Sequence, residues 1–389
     1  MVLKIKGIIK ISVCIILAAA VFSGCTGNEN LKDLSVVEGM GIDYENGEIG
    51  VTVQSLNLSK EGSGAEALSG NITKTVQGTG KNISAAVQRT SESLSKKLFF
   101  GQNQILVIGK DLAENNINLC FDYLLRASDS RPDVAVCISS GKASETLSSN
   151  IGGSLVPAQA VSELLYNGES EGLAAYVTVN EMLNLYKDKT SDIYLPVVSA
   201  GSDSAEVTGI AVYNDVKLAN VLPETQILGF LLLTDKVDEG YFEFESEDYG
   251  KIGAKISDSK TKTDARVENG TVVYSVEISS TLSVEELENG AEGMISKKDL
   301  QNISSQAQSE LEKRCRAAFN SCVLYGSDCL RIGENLAARS PSDYAALSDN
   351  WNEQLSSVRL EVNSTCKLKK VNENASCLLY TSPSPRDTR

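Results

Sequence analysis

The longest regular pattern in the chain lies in its C-terminal third. Leu300, Ile303, Ala307, Leu311, Cys315, Ala318, Cys322, Tyr325, Cys329 and Ile332 step by three or four. That spacing predicts one continuous helix over 297–332, with an apolar stripe suited to packing on a sheet. Elsewhere the pattern is mixed. β-rich runs at 34–43 and 49–56 flank Asn46-Gly47 and read as a hairpin. The Gly/Ser-rich stretch 59–81 reads as a long loop holding one strand, 72–77. Helical spacing follows at 83–94, with Asn82 or Ser84 as caps. Residues 97–100 and 104–109 read as a buried strand around Gly101, then a helix at 118–126, a strand at 134–139 and a helix at 143–149.

Two further helices are expected at 157–165 and 179–187, with a strand at 193–198 and a linker at 199–205 (SAGSDSA). Runs at 207–213 and 217–221 make a second hairpin around Asn214-Asp215. Residues 225–234 form a short apolar run, so pattern alone does not separate helix from strand. Strands follow at 251–262, 265–268 and 272–282, the last two joined by Asn269-Gly270. A second helix starting at Pro341 carries Trp351, and 358–369 closes the pattern as a strand. Strands and helices mix without strict alternation. The fold class expected is therefore α+β: two to three domains of mixed sheets with packed helices, including the long amphipathic C-terminal helix.

The two ends of the chain carry different messages. Lys4, Lys6 and Lys10 precede the apolar run 11–22, which stops at Phe22-Ser23-Gly24-Cys25. This is a basic region, a short apolar core and a small-residue cleavage site, the pattern of an export signal. Twelve apolar residues span roughly 18 Å as helix, short of a ~30 Å hydrocarbon core. Cysteine directly after Ser-Gly resembles a bacterial lipoprotein signal, in which Cys25 is diacylated and becomes the first residue; Phe22 stands where Leu, Val or Ile is usual. Two acyl chains give stable anchoring at ~0.8 kcal/mol per buried CH₂. At the other end, residues 377–387 (CLLYTSPSPRD) match one reading frame of a common transposase sequencing adapter. Residues 376–389 are accordingly expected to be an artefact tail. The expected organisation is signal 1–24, tether 25–33, an N-terminal region 34–200 of one or two subdomains, and a C-terminal domain 205–375.

Charge and composition narrow the function. The formal net charge is −15; without Lys4, Lys6 and Lys10 it is −18, and without Arg386, Arg389 and Asp387 it becomes −19. So acidic a chain is repelled by phosphate backbones and anionic lipid, which argues against nucleic-acid binding and leaves attachment to the lipid at Cys25. The chain contains no histidine, so Ser-His-Asp and Cys-His catalysis and His-ligated zinc are excluded. Carboxylate-pair hydrolysis, Ser-Lys chemistry and oxygen-ligated calcium remain open. Cys120, Cys137, Cys315, Cys322, Cys329 and Cys366 show no CxxC spacing. On one helix, Cys315, Cys322 and Cys329 stand about 10.5 Å apart in turn, too far for neighbours to join, and read as small core residues.

The short motifs are weak. Gly39-Met40-Gly41-Ile42-Asp43 begins like a dinucleotide fingerprint, but the third glycine is missing and a hairpin follows where a helix is required. Asp43, Glu45 and Glu48 fit an acidic hairpin turn better than a calcium site, and 243–248 fits a solvated acidic edge. Asp328 and Arg331 are spaced for an exposed i,i+3 ion pair of ~0.3 kcal/mol. No catalytic, cofactor or metal residue is singled out, and the residues read as a non-enzyme.

Several segments, in order, resemble the Ger(x)C family, the lipoprotein C subunits of spore germinant receptors. They are the Cys25 signal, the Val37-Glu38-Gly39-Met40-Gly41-Ile42-Asp43 hairpin ending at Val53-Gln54, the stretch 97–109 (KLFFGQNQILVIG), and 121–126 (FDYLLR). Further on come 209–213 (GIAVY), 228–233 (LGFLLL), Tyr325-Gly326-Ser327-Asp328 and Trp351. Family members commonly carry a histidine where this chain has Gln102 or Asn103, and the cysteine stripe is also a departure. The resemblance implies a three-domain α+β protein, lipid-anchored on the outer face of the inner spore membrane. It implies assembly with a multi-spanning A subunit and a transporter-like B subunit in a nutrient receptor; whether this subunit binds a small molecule is left open. The alternative is a solute-binding lipoprotein of a transporter, which needs two lobes and a cleft.

Overall fold

Asn46 and Gly47, both with positive φ (54° and 82°), reverse the chain between β1 (Leu34–Glu45) and β2 (Glu48–Leu56), which pair antiparallel. This is the expected hairpin. The computed structural model describes residues 33–56, 72–94, 96–126, 131–149, 151–201, 203–289 and 296–369. The Cys25 signal, most of the tether, residues 57–71 and the 376–389 tail lie outside the described residues. β3 (Thr73–Gly80) pairs with β2, and α1 (Ile83–Leu94) follows, its Ala85 N–H donating to Asn82 Oδ1 at 2.8 Å as the cap.

The stretch read as one strand at 97–109 is two. β4 (Lys97–Phe99) pairs with the start of β1, a 3₁₀ turn at Phe100–Gln102 intervenes, and β5 (Ile105–Ile108) pairs parallel with the middle of β1. β6 (Ala135–Ser139), β7 (Tyr194–Ala200), β8 (Ala205–Asn214) and β9 (Lys217–Pro223) complete a nine-stranded sheet ordered β3-β2-β1-β5-β6-β7-β8-β9. Its centre, β1-β5-β6-β7, is parallel and its flanks are antiparallel. Residues 199–205, read as a linker, form a hairpin with Ala200 paired to Ala205, so the sheet runs on through them.

Both faces of the central strands are covered, which is why they read as apolar runs without alternation. Ile105, Val107, Ala135 and Cys137 face α4 (Ala143–Ser148) and α5 (Pro157–Ser170). Leu106, Ile108, Val136 and Ile138 face the core shared with α2 (Lys110–Asn115), α3 (Asn118–Arg126) and α6 (Val179–Lys187).

The second sheet is ordered β10-β11-β12-β13: β10 (Gly240–Ser246), β11 (Gly250–Glu268), β12 (Thr271–Leu287) and β13 (Arg359–Leu368). The strands read as 251–262 and 265–268 are one, β11, turning at Asn269-Gly270 as expected. α8 (Lys297–Val323) packs on β13 and β10, and α7 (Glu224–Leu233) is wedged between α8, β8 and β11. That position explains the ambiguous apolar run. Every residue from Ile227 to Leu233 is buried, so no polar face exists to show helical period.

The long helix exists but stops at Val323, nine residues early. A turn with Gly326 and Arg331 at positive φ (71° and 59°) leads into α9 (Ile332–Arg339). The helix expected from Pro341 is broken into α10 (Pro341–Leu347), a 3₁₀ turn and α11 (Trp351–Leu355). The architecture is multi-domain α+β, as the patterns indicate.

Candidate functional site

Two cavities among the described residues are lined by groups from distant segments. The first is a pocket of about 350 Å³ where the turn after α8 meets the 188–193 loop and the start of α11. At its base Asp328 is buried (1% exposed). Its carboxylate accepts the backbone N–H groups of Ile332 and Gly333, both at 2.7 Å, and the indole N–H of Trp351 at 2.8 Å. It therefore caps α9 and fixes the tryptophan. Asp192 lies beside it and accepts the N–H groups of Asp328 (2.7 Å) and Asp215 (2.8 Å). Burial pushes both carboxyls upward, Asp328 to about 7, against the lowering pull of these N–H donors. Tyr344 packs edge-on against Trp351 and donates to the Lys189 carbonyl at 2.9 Å.

This overturns the exposed Asp328–Arg331 pair. The left-handed turn points Asp328 inward, and Arg331 instead pairs with Glu334 at 3.4 Å. It also takes Cys329 off the helix. Cys315 and Cys322 sit buried on α8, while Cys329 is buried in the turn that follows it, where burial and the neighbouring Cys322 push its thiol pKa up. All six described cysteines are free and buried, and burial alone pushes Cys120 and Cys137 up to about 12. Burial likewise raises Cys315 to about 12, with smaller effects from its neighbours Glu312 and Arg316.

Asp43, expected in an acidic hairpin turn, reaches from the end of β1 to the start of α4. Its oxygens accept the N–H groups of Ala143 (2.7 Å) and Ser144 (3.1 Å), and Glu45 pairs with Lys142 at 2.8 Å. The carboxylate is a helix cap, and among the described residues no cluster of acidic or cysteine side chains is disposed to hold a metal. The glycines of the same motif serve packing: a Cβ at Gly39 would lie 2.6 Å from the Cβ of Ala158 on α5. The 243–248 run is an edge strand over 243–246, with Glu243 and Glu245 outward and Phe244 and Ser246 inward.

The second place is a groove of about 870 Å³ along the seam of the two sheets, walled by the end of α5, the start of β8, α7 and β10. Leu173 and Tyr241 stand exposed on its rim. Beneath it Lys236 ties the halves together, pairing with Glu169 (2.9 Å) and Glu181 (3.3 Å). Burial opposes the charge of Lys236, but Tyr194 and the two carboxylates overcome it and raise its pKa. Sequence reading missed both places. Asp328 carried a usable signal, an acid four residues before a helix, but Asp192 and the groove carried none.

The carboxylates at the junction are thus used as acceptors for backbone and indole N–H groups. Comparison with known proteins agrees with a shared architecture. Residues 27–200 match the family model of the spore germination protein N-terminal domain, and residues 208–372 that of the spore germination B3/GerAC-like C-terminal domain. The chain is similar to the putative spore germination protein YfkR of Bacillus subtilis (strain 168), 22% identical over 70% of this chain and 72% of that protein. It is 21% identical to the spore germination protein GerQC of Bacillus cereus, over 89% of this chain and 94% of the relative. A crystal structure of the GerBC protein superposes with a TM-score of 0.57 at 16% identity, covering 88% of this chain and 99% of that one, and so shares the fold. With two adjoining family models spanning nearly all of its folded part, the chain belongs to the GerAC, or Ger(x)C, family of spore germination proteins.

Proposed function

We propose that this chain is the lipid-anchored C subunit of a nutrient germinant receptor, held by diacylated Cys25 on the outer face of the inner spore membrane. In this reading it is a non-catalytic component that assembles with a multi-spanning A subunit and a transporter-like B subunit. The observation carrying the proposal is the match of both family domains in order along one chain that opens with a lipoprotein-type signal. Two further points support it. The histidine-free sequence removes the commonest catalytic dyads, and the carboxylates of Asp43, Asp192 and buried Asp328 are spent on N–H donors of the fold.

The test is co-expression of the full chain with the A and B subunits of a germinant receptor, followed by detergent extraction and affinity purification. The expected result is a three-subunit complex, with the mature N-terminal peptide starting at acylated Cys25 by mass spectrometry and with Cys25→Ala released from the membrane fraction. An unmodified N-terminus together with no association would overturn the reading.

A further inference from the structure

The seam groove has features that the fold itself does not require. Leu173 (55% exposed) and Tyr241 (48% exposed) stand on its rim, with Leu228 and Phe242 buried in its floor, so apolar surface runs from the edge to the base. Large exposed side chains continuous with a cavity mark an interaction surface more often than a solvated one. Through Glu243 and Arg314 the groove continues into a second cavity of about 570 Å³ along β10 and α8. The joined channel suits a run of residues more than a single side chain.

Its electrostatics are one-sided. Glu171, Glu206, Glu224 and Glu243 line the main groove, and Arg314 is the cation among its lining residues. That guanidinium is already engaged by Glu310 Oε1 at 2.8 Å and by the Glu243 carbonyl at 3.0 Å. In the extension Lys251 and Lys313 are likewise turned to Glu243 (3.8 Å) and Glu310 (3.3 Å). Glu171, Glu206 and Glu224 form no ion pair among the described residues, and an apolar floor under such a carboxylate rim is complementary to an apolar side chain flanked by cations. A second copy of this chain, at net charge −15, is a poor occupant on the same ground.

We infer that the seam groove docks an extended segment of a partner polypeptide in which an apolar side chain is flanked by lysine or arginine. The inference rests on the reading of this chain as an assembling subunit, and names the surface it would use. Its test uses the full chain co-expressed with the A and B subunits. A photo-crosslinking residue at 173 should join a partner peptide with a lysine or arginine within a few residues of the adduct, while the same residue at exposed Tyr325, beyond the end of α8, should not. Glu171→Lys with Glu206→Lys, and separately Leu173→Ser, should lower recovered complex about tenfold, with the Trp351-monitored unfolding midpoint unchanged. Full recovery of complex by both variants would overturn the groove while leaving the subunit reading intact. Adducts to a second copy of this chain, or to a segment without basic residues, would also overturn it. Failure of the unaltered chain to associate would remove the subunit reading, and the inference with it.

Discussion

Gly229 sits where α7 crosses α8, and its substitution sets two effects of opposite sign against each other. In an unconstrained helix Gly→Ala gains about 1 kcal/mol from backbone entropy. Here a Cβ at 229 would lie 2.5 Å from the Arg314 carbonyl carbon and 3.0 Å from the Cys315 nitrogen, with the Arg314 carbonyl oxygen closer still. These are backbone atoms inside a helix and do not swing aside. Restoring ordinary contact needs a retreat of about 1 Å, but Ile227 to Leu233 are buried all round, so α7 has no free side to move toward. Overpacking of this kind costs about 1–3 kcal/mol, and the rigid contact places it at the upper end. The net expectation for Gly229→Ala is a loss of about 2 kcal/mol. Urea unfolding followed by the fluorescence of Trp351, the sole tryptophan, should show a midpoint lower by roughly 0.5–1 M for a slope of ~2–3 kcal/mol/M. Gly50→Ala is the control, since its nearest neighbour would be Asp43 Cβ at 3.8 Å, and it should stay within about 0.5 kcal/mol. Unchanged or increased stability of Gly229→Ala would refute the close-crossing argument.

Removing the Asp328 carboxylate by Asp328→Ala leaves three buried N–H donors without an acceptor, and at about 1 kcal/mol or more each a loss near 3 kcal/mol is expected, with a red-shifted Trp351 emission. A loss below about 1 kcal/mol would mean that desolvating the carboxylate outweighs its hydrogen bonds. The pH dependence follows from the same groups. Asp43, Asp192 and Asp328 have folded pKa values above the unfolded value near 3.8, Asp328 at about 7, so above about pH 4, and for Asp328 up to about pH 7, the folded state holds protons that the unfolded state has lost. Their contribution to stability therefore falls as pH rises through that window and is flat above it. Urea midpoints should be higher at pH 5 than at pH 8, and Asp328→Asn should flatten the slope. Finally, the buried thiols Cys120, Cys137, Cys315, Cys322, Cys329 and Cys366 should react with a disulfide reagent only as fast as the chain opens, and fully in 8 M urea. Rapid reaction of the native protein would contradict their burial.

Much of the local structure was legible in the sequence because local chemistry decides it. Asn46-Gly47 and Asn269-Gly270 supply the positive φ their turns need, Asn82 caps α1, and the three-and-four spacing of 300–322 makes a helix of one apolar face wherever it packs. What failed were readings in which a distant partner outweighs local pattern. The stripe continues in register past Val323, yet the chain turns because Asp192, 136 residues earlier in sequence, accepts the Asp328 N–H, and Asp328 then caps α9 and holds Trp351. The run Ile227 to Leu233 has no period because neighbours cover it on every side. Residues 199–205 look like a linker by composition, but their ends pair within a sheet that runs from Leu34 to Pro223. The seam groove has no sequence signature at all, since its walls come from α5, β8, α7, β10 and α8. Periodicity and turn chemistry are properties of neighbours along the chain; the helix stops, the Asp192–Asp328 carboxylate pair and the groove arise from contacts that exist only once the sheets have formed.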